Sequence, residues 1–494
     1  MTSDNACSQH SVTDQNQAPL VSALQQCAQK AQAAFYTPGH KRGQGAAIDL
    51  RQLIGVEALR ADLPELPELD NLFAPTGPIQ TAQTLAAKAF GAEETFFLAN
   101  GSTCGLQAAL LAVCSPGDQV LVPRHAHRSV FAALVLSGAI PVWLQPPYDA
   151  TWDVVQGTTL AQVDQAIAQH PDLKAVLLVS PTYLGVCSEV AAIAERLHLL
   201  NCPLIVDEAH GAHFGFHTEL PQSALSAGAD IVVQSTHKVL AALTQASMLH
   251  VQGQKVNRDR LRQALQITQS SSPNYLLLAS LDAARQQMAT AGTALITQTL
   301  KLAQTARSQL SRLAGLRILA PADVAPARLD LTRLTVEVAG LGLTGFAVDE
   351  WLHTQLGVTA ELPSLSHLTF IISLGNTVAD VDQLVLAFKQ LVTQQPLAKR
   401  LTPPDLTPPA DAAVPSLSPR QAFFSPAKTV TVAAAIGQIS AELICPYPPG
   451  IPLIFPGERI ESAAIAYLQA IRQAGGQLTG CSDASLQTIK IVNP

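Results

Sequence analysis

The sequence is poor in charge and poor in every pattern that directs a chain to nucleic acid, membrane or metal. Of its 494 residues 14% are charged and 5% aromatic, and the formal net charge is −7. That mild acidity is spread without a basic stripe or basic–aromatic interleaving, so the footprint of a nucleic-acid or anionic-lipid binder is missing. The eight cysteines (Cys7, Cys27, Cys104, Cys114, Cys187, Cys202, Cys445, Cys481) include no CxxC pair and no close histidine partners. This argues against a zinc site and against a disulfide framework. They read as small buried hydrophobes in a reducing compartment, and no metal is expected.

Targeting patterns are missing too. MTSDNACSQHSVTDQNQ has no basic region followed by an apolar core, so it is neither a secretory signal nor a transit peptide, and residues 1–34 read as a polar tail. Apolar stretches such as 131–144 are interrupted by Ser137, Gly138 and Pro141 before they reach the roughly 20 residues a bilayer crossing needs. A soluble, cytoplasmic protein is the expectation. There is no internal repeat, and Gln enrichment in the first thirty residues is the one low-complexity feature.

What the chain does have is apolar: 48% of it is hydrophobic. That composition belongs to a packed globular protein, and the length allows about two to four domains. Strand-like runs QVLVP (Gln119–Pro123), AVLLVS (175–180), PLIVD (203–207) and IVVQ (Ile231–Gln234) alternate with segments long enough for helices. The alternation predicts an α/β core with a mostly parallel sheet. In such sheets ligands bind beyond the carboxyl ends of the strands, so SPTY, DEAH and STHK should converge on one site. We divide the chain into an N-terminal arm (35–75), a large domain (76–290) and a smaller α/β lobe (291–400). The lobe holds a helical pattern after about residue 288, a strand over 331–338 and helices over 344–355 and 378–392. A linker with six prolines (401–419) and a C-terminal α+β domain (420–494) follow.

The chemistry is concentrated in Ser235-Thr236-His237-Lys238. A lysine is ordinarily a surface residue, but this one lies between apolar IVVQ and VLAAL, where desolvation lowers the ammonium pKa. Such an amine is nucleophilic enough to form a Schiff base. Asp207 ends PLIVD, where a buried carboxylate needs a cation, and a protonated pyridine nitrogen would serve; capping of the following turn is the plainer alternative. Asn100-Gly101-Ser102-Thr103-Cys104-Gly105 precedes an apolar helix and offers hydroxyls and free N–H groups for a phosphate, or simply an N-cap. His127, just past QVLVP, could stack on an aromatic ring.

Together with FYTPGHKRG (Phe35–Gly43), ELDNLFAPTGPI (Glu68–Ile79), VPRHAHRSV (Val122–Val130), SPTYLG (Ser180–Gly185), VDEAHGAHF (Val206–Phe214), QSTHKVLAALTQASMLHV (Gln234–Val251) and YPPGIPLIFPGE (Tyr447–Glu458), these motifs carry a resemblance. The chain resembles the Orn/Lys/Arg decarboxylases among the fold-type-I pyridoxal-phosphate enzymes, in a short form without an N-terminal wing domain. The resemblance implies an aspartate-aminotransferase-like fold and pyridoxal 5′-phosphate carried on Lys238, with Asp207 on the pyridine nitrogen, His127 stacked on the ring and Ala209 on the opposite face. It implies phosphate contacts from Ser102, Thr103, Ser235 and His237, and from Ser271 of a second subunit, with Ser270 and Ser272 as one-residue alternatives. GSTCG departs from the relatives' GTSG or GTST, which leaves the individual donors open by a position.

The implied reaction is decarboxylation of a basic amino acid in a homodimer or larger homo-oligomer, with His237 or Lys238 returning a proton to Cα. Arginine, giving agmatine for polyamine synthesis, is the first expectation, with lysine and ornithine as alternatives. Glu458, Asp70 and Glu208 are candidate partners for the distal cation, and His40 of the PGH motif is a candidate substrate contact. An aminotransferase, a carbon–sulfur or aldol lyase and a non-catalytic cofactor-binding regulator are the rival readings. The first of these needs an arginine in the smaller lobe for the substrate carboxylate.

Overall fold

The computed structural model describes residues 14–394, 416–447 and 450–493. Seven strands form the central sheet: β1 (Glu94–Leu98), β2 (Gln119–Pro123), β3 (Ile140–Leu144), β6 (Leu173–Val179), β7 (Leu204–Asp207), β8 (Ile231–Gln234) and β9 (Ser247–Val251), while β4 (Tyr148–Asp149) and β5 (Val154–Val155) make a small separate hairpin. The sheet order is β1-β9-β8-β7-β6-β2-β3, and β9 alone runs against its neighbours. The expected α/β fold with a mostly parallel sheet is what the chain adopts.

The aliphatic runs are continuous because both faces of the sheet are covered by helices. Alternation still sorts them: Leu204 and Val206 enter one buried cluster, and Ile205 enters the cluster on the opposite face. Helix Gly101–Val113 lies so close to the sheet that a Cβ on Gly105 would stand 2.7 Å from Leu98 and 2.8 Å from Val233. Glycine at this position lets the helix N-terminus reach the carboxyl ends of β1 and β8.

Helix Tyr275–Leu310 runs through the boundary expected at 290/291. Its first half packs in the large domain through Leu278 and Leu281, its second in the smaller lobe through Leu302, Ala306 and Leu310. That lobe holds an antiparallel sheet of β10 (Arg317–Ile318), β11 (Arg333–Glu337), β12 (Leu362–Pro363) and β13 (His367–Ile371) in the order β10-β11-β13-β12. Helices Gly345–Leu356 and Val378–Gln394 cover it. In the C-terminal domain β14 (Ala427–Thr431) pairs with β17 (Thr488–Val492) and β15 (Cys445–Tyr447) with β16 (Gln477–Thr479), beside helix Ser462–Gln473. Residues 401–415 of the expected linker lie outside the described residues, and Pro419 already opens helix Pro419–Phe424.

Within the stretch expected as a tail, Pro19–Gln29 forms a helix that buries Leu20, Leu24 and Cys27. Its anchor is a buried ion pair on the long helix. Arg285 pairs with Asp282 and donates to the carbonyls of Gln15 (2.9 Å) and Gln17 (2.6 Å), while Asp282 accepts the Leu20 N–H at 2.9 Å. Among the described residues no helix is long and apolar enough to cross a membrane.

Candidate active site

The carboxyl ends of four strands bring the chemistry-bearing residues together. Asp207 closes β7, Ser235 follows β8 and leads into the single turn Thr236–Val239 that carries Lys238, His127 follows β2, and Tyr183 follows β6. Asp207 is 5% exposed and accepts the Ala209 N–H at 3.2 Å. Burial pushes its carboxyl above the usual range, and the nearby Lys238 charge opposes that rise. Burial likewise lowers the Lys238 ammonium pKa, against the pull of Asp207. These are reciprocal needs: an acid and an amine, both short of solvent, at the ends of neighbouring strands.

Three hydroxyls meet at the N-terminus of helix Gly101–Val113. Ser102 Oγ is 2.7 Å from Ser235 Oγ and 3.2 Å from Ser247 Oγ. Thr103 is exposed on the same turn. Ser247 was not anticipated, because it opens β9 in a run that reads only as apolar strand. His237 donates from Nδ1 to the Ala246 carbonyl at 2.9 Å, leaving Nε2 as its free nitrogen, and burial lowers its pKa. His127 is the N-cap of helix Arg128–Ser137: its Nδ1 accepts the Ser129 N–H at 3.2 Å, and burial brings its pKa down to about 4. The ring is therefore neutral at physiological pH. Ser271 is exposed; beside it the Ser270 N–H bonds Asn100 Oδ1 of the same chain at 3.3 Å, and Gln269 accepts the Ala99 N–H at 2.9 Å. The serine loop thus leans on the loop that carries Ser102.

The four candidate substrate contacts each have a partner within the chain. Glu458, 4% exposed, pairs with Arg124, whose guanidinium lies 5.1 Å from the Trp143 ring and 4.5 Å from that of Phe455. It ties the C-terminal domain to the large one. Asp70 caps helix Pro78–Phe90 by accepting the N–H groups of Thr76 (2.9 Å) and Gly77 (2.7 Å). Glu208 accepts from the Ala224 N–H and from Gln234 Nε2, each at 2.7 Å. His40 pairs with Asp62 at 3.0 Å inside the arm.

Three residues surround Lys238: His210 and Tyr183, which end the DEAH and SPTY motifs expected to converge here, and Arg333, which sequence reasoning missed. His210 Nε2 is 3.1 Å from Nζ, and Arg333 of β11 bonds the other nitrogen of that ring at 2.8 Å. The Tyr183 ring lies 6.0 Å from Nζ and 5.0 Å from the His210 ring. Tyr183 also lines a cavity of about 230 Å³ shared with Asp153, Tyr148, Tyr467 and Arg124.

An Asp–Lys pair in such a place fits the cofactor named above. A desolvated carboxylate awaits a cationic ring nitrogen, a desolvated amine awaits an aldehyde, and three hydroxyls at a helix N-terminus await an anion. Residues 18–328 match the family described as "Orn/Lys/Arg decarboxylase, major domain", and residues 407–487 match its C-terminal domain. The chain belongs to the Orn/Lys/Arg decarboxylase family. This decarboxylase-family chain is 38% identical to the arginine decarboxylase of Bacillus subtilis (strain 168) over 97% of its length and 98% of that protein's. It is 27% identical to lysine decarboxylase LdcA of Pseudomonas aeruginosa, over 92% of its own length and 76% of that protein's. The lysine decarboxylase LdcF of Francisella novicida has the same fold, with a TM-score of 0.83 at 23% identity over 96% of this chain and 81% of that one.

Proposed function

We propose that this chain decarboxylates L-arginine to agmatine on pyridoxal 5′-phosphate carried by Lys238. The observation that carries the reading is the meeting of the Lys238 amine and the buried Asp207 carboxylate at adjacent strand ends in a chain of this family. The arginine decarboxylases among its relatives, matched over nearly their whole length, support the choice of substrate.

When bound, pyridoxal phosphate supplies the electron sink that accepts the pair left by departing carbon dioxide. Asp207 is the residue that would hold a proton on the ring nitrogen, because burial makes an uncompensated carboxylate costly there. Ser102, Ser235 and Ser247 with the helix N-terminus would hold the phosphate, with Thr103 and His237, and Ser271 of a second subunit, as further contacts. The neutral His127 ring and Ala209 are the residues that would pack against the two faces of the bound ring. That packing would exclude water, which would disfavour the substrate carboxylate relative to neutral carbon dioxide. Lys238 would return a proton to Cα, and His237, whose Nδ1–H is committed to the Ala246 carbonyl, would do so from Nε2 only after taking up a second proton there.

The substrate side chain extends past Tyr183 into the cavity with Asp153, whose carboxylate accepts from Tyr148 and Ser366 and meets the guanidinium beside aromatic rings. Arg333 in the smaller lobe is the feature an aminotransferase would turn on the substrate carboxylate. Here it is 1% exposed and bonded to His210. Carbon dioxide release from arginine, lysine and ornithine, each with added pyridoxal phosphate, tests both levels. Arginine should lead in kcat/KM by about 10-fold or more, the size of discrimination that a paired distal cation gives. A lead for lysine or ornithine would displace arginine, and a requirement for an oxo acid would displace decarboxylation.

The working unit is a homodimer. Phe35 (95% exposed), Leu53 (81%) and Ile48 (72%) line the arm with apolar surface that a second copy would cover. Sedimentation should show about twice the 52.1 kDa chain mass; a monomer would overturn the assignment. A reducing cytoplasm suits the seven described cysteines, all unpaired, with burial pushing Cys104 and Cys114 up to about 12.

A further inference from the structure

His210 is engaged at both ring nitrogens, and one of its partners has a fixed role. Arg333 brings Nη2 within 2.8 Å of His210 Nδ1 and 3.3 Å of the His210 carbonyl. A guanidinium only donates, so Nδ1 is the accepting nitrogen. Burial, joined by the charges of Lys238 and Arg333, holds the imidazole neutral. A neutral imidazole has one N–H, and here it sits on Nε2, 3.1 Å from Lys238 Nζ. That N–H can only donate. The lysine nitrogen must answer with a lone pair, because an ammonium would set two donors against each other.

The guanidinium is itself held in place. Asp330 stands 3.9 Å from Arg333 Nε and pairs with His213 at 3.2 Å, and it accepts the Thr332 N–H and hydroxyl at 2.9 and 2.7 Å. The aliphatic stem crosses the SPTYLG turn where a Cβ on Gly185, at φ +90°, would stand 2.9 Å from Arg333 Cγ. Two motifs distant in sequence, SPTYLG and DEAHGAHF, thus close around one arginine from the smaller lobe.

We propose that Arg333 is a positioning residue for Lys238: it fixes His210 as the Nε2–H tautomer, and this tautomer selects the neutral amine of Lys238. The proposal rests on the reading of Lys238 as the cofactor lysine and adds how that amine is kept reactive. A neutral amine is the form that adds to an aldehyde. Its nitrogen pair makes the C–N bond, and the carbonyl oxygen leaves as water with the two hydrogens from nitrogen. The other groups facing Lys238 are Asp207 and Glu361, which favour its charge, Arg333 itself, which opposes it, and the rings of His127, His237 and Tyr183.

Nitrogen-15 NMR of the full chain labelled at histidine tests this directly. The His210 signal is identified by its loss in His210→Gln. In the unsubstituted protein it should report the Nε2–H tautomer from about pH 6 to 9. An Nδ1–H or doubly protonated His210 would overturn the proposal, and this arm needs no folded Arg333 variant. In Arg333→Met the tautomer should move toward Nδ1–H, and the pH midpoint for imine formation with added pyridoxal phosphate should rise by about 1–2 units. Arg333→Lys, which keeps a donor-only cation, should hold the midpoint within about half a unit. A shifted midpoint in Arg333→Met with the tautomer unchanged would reduce Arg333 to a charge effect and overturn the positioning role. Failure of the cofactor reading would look different: no imine at any pH, with the tautomer signal intact.

Discussion

Lys238→Ala is expected to slow carbon dioxide release from arginine by about 10⁴-fold or more, the scale on which removal of a covalent catalytic group acts. The effect is large because the covalent bond is assigned to this one amine. Among the described residues Lys238 is the one lysine of the cluster at the strand ends, and its Nζ lies 3.1 Å from His210 Nε2 and 6.0 Å from the Tyr183 ring. Fold stability should change little, since the side chain lies on a single helical turn and its hydrogen-bond partner, His210, keeps Arg333. A variant that unfolds, or one that retains near-normal turnover, would each be detected by pairing the assay with thermal unfolding.

Asp207→Asn should lower turnover by roughly 10²- to 10⁴-fold, the rate equivalent of the about 3–5 kcal/mol that separates a matched from a broken buried charge pair. The amide is nearly isosteric and can still accept the Ala209 N–H that now bonds Oδ1 at 3.2 Å. What it cannot do is keep a proton on the ring nitrogen opposite. The loss should therefore appear in kcat more than in KM, with cofactor retained. Equal loss in both, or loss of the cofactor itself, would make Asp207 an anchoring residue.

The sequence exposed the large domain well because its strands are unbroken aliphatic runs ending in polar clusters. PLIVD and IVVQ stop where β7 and β8 stop, at the carboxyl ends that carry the candidate site. The N-terminal helix was hidden by its glutamines, although Leu20, Leu24 and Cys27 recur at intervals of four and three, a helical stripe that could have found it. The His210–Arg333 contact joins residues 123 positions apart in different lobes, and nothing in local pattern encodes it. Glu458 is the converse case. Its motif marks a real contact, but that contact is with Arg124 and secures one domain against another.

The central claim is chemical: the amine of Lys238 takes up pyridoxal phosphate. Reduction of the loaded protein with borohydride, followed by digestion and mass spectrometry, locates the bond. The phosphopyridoxyl mass should fall on the peptide containing Ser235-Thr236-His237-Lys238, at the lysine, and be missing from Lys238→Ala. The same mass on a different lysine, or no stable adduct after loading, would contradict the account.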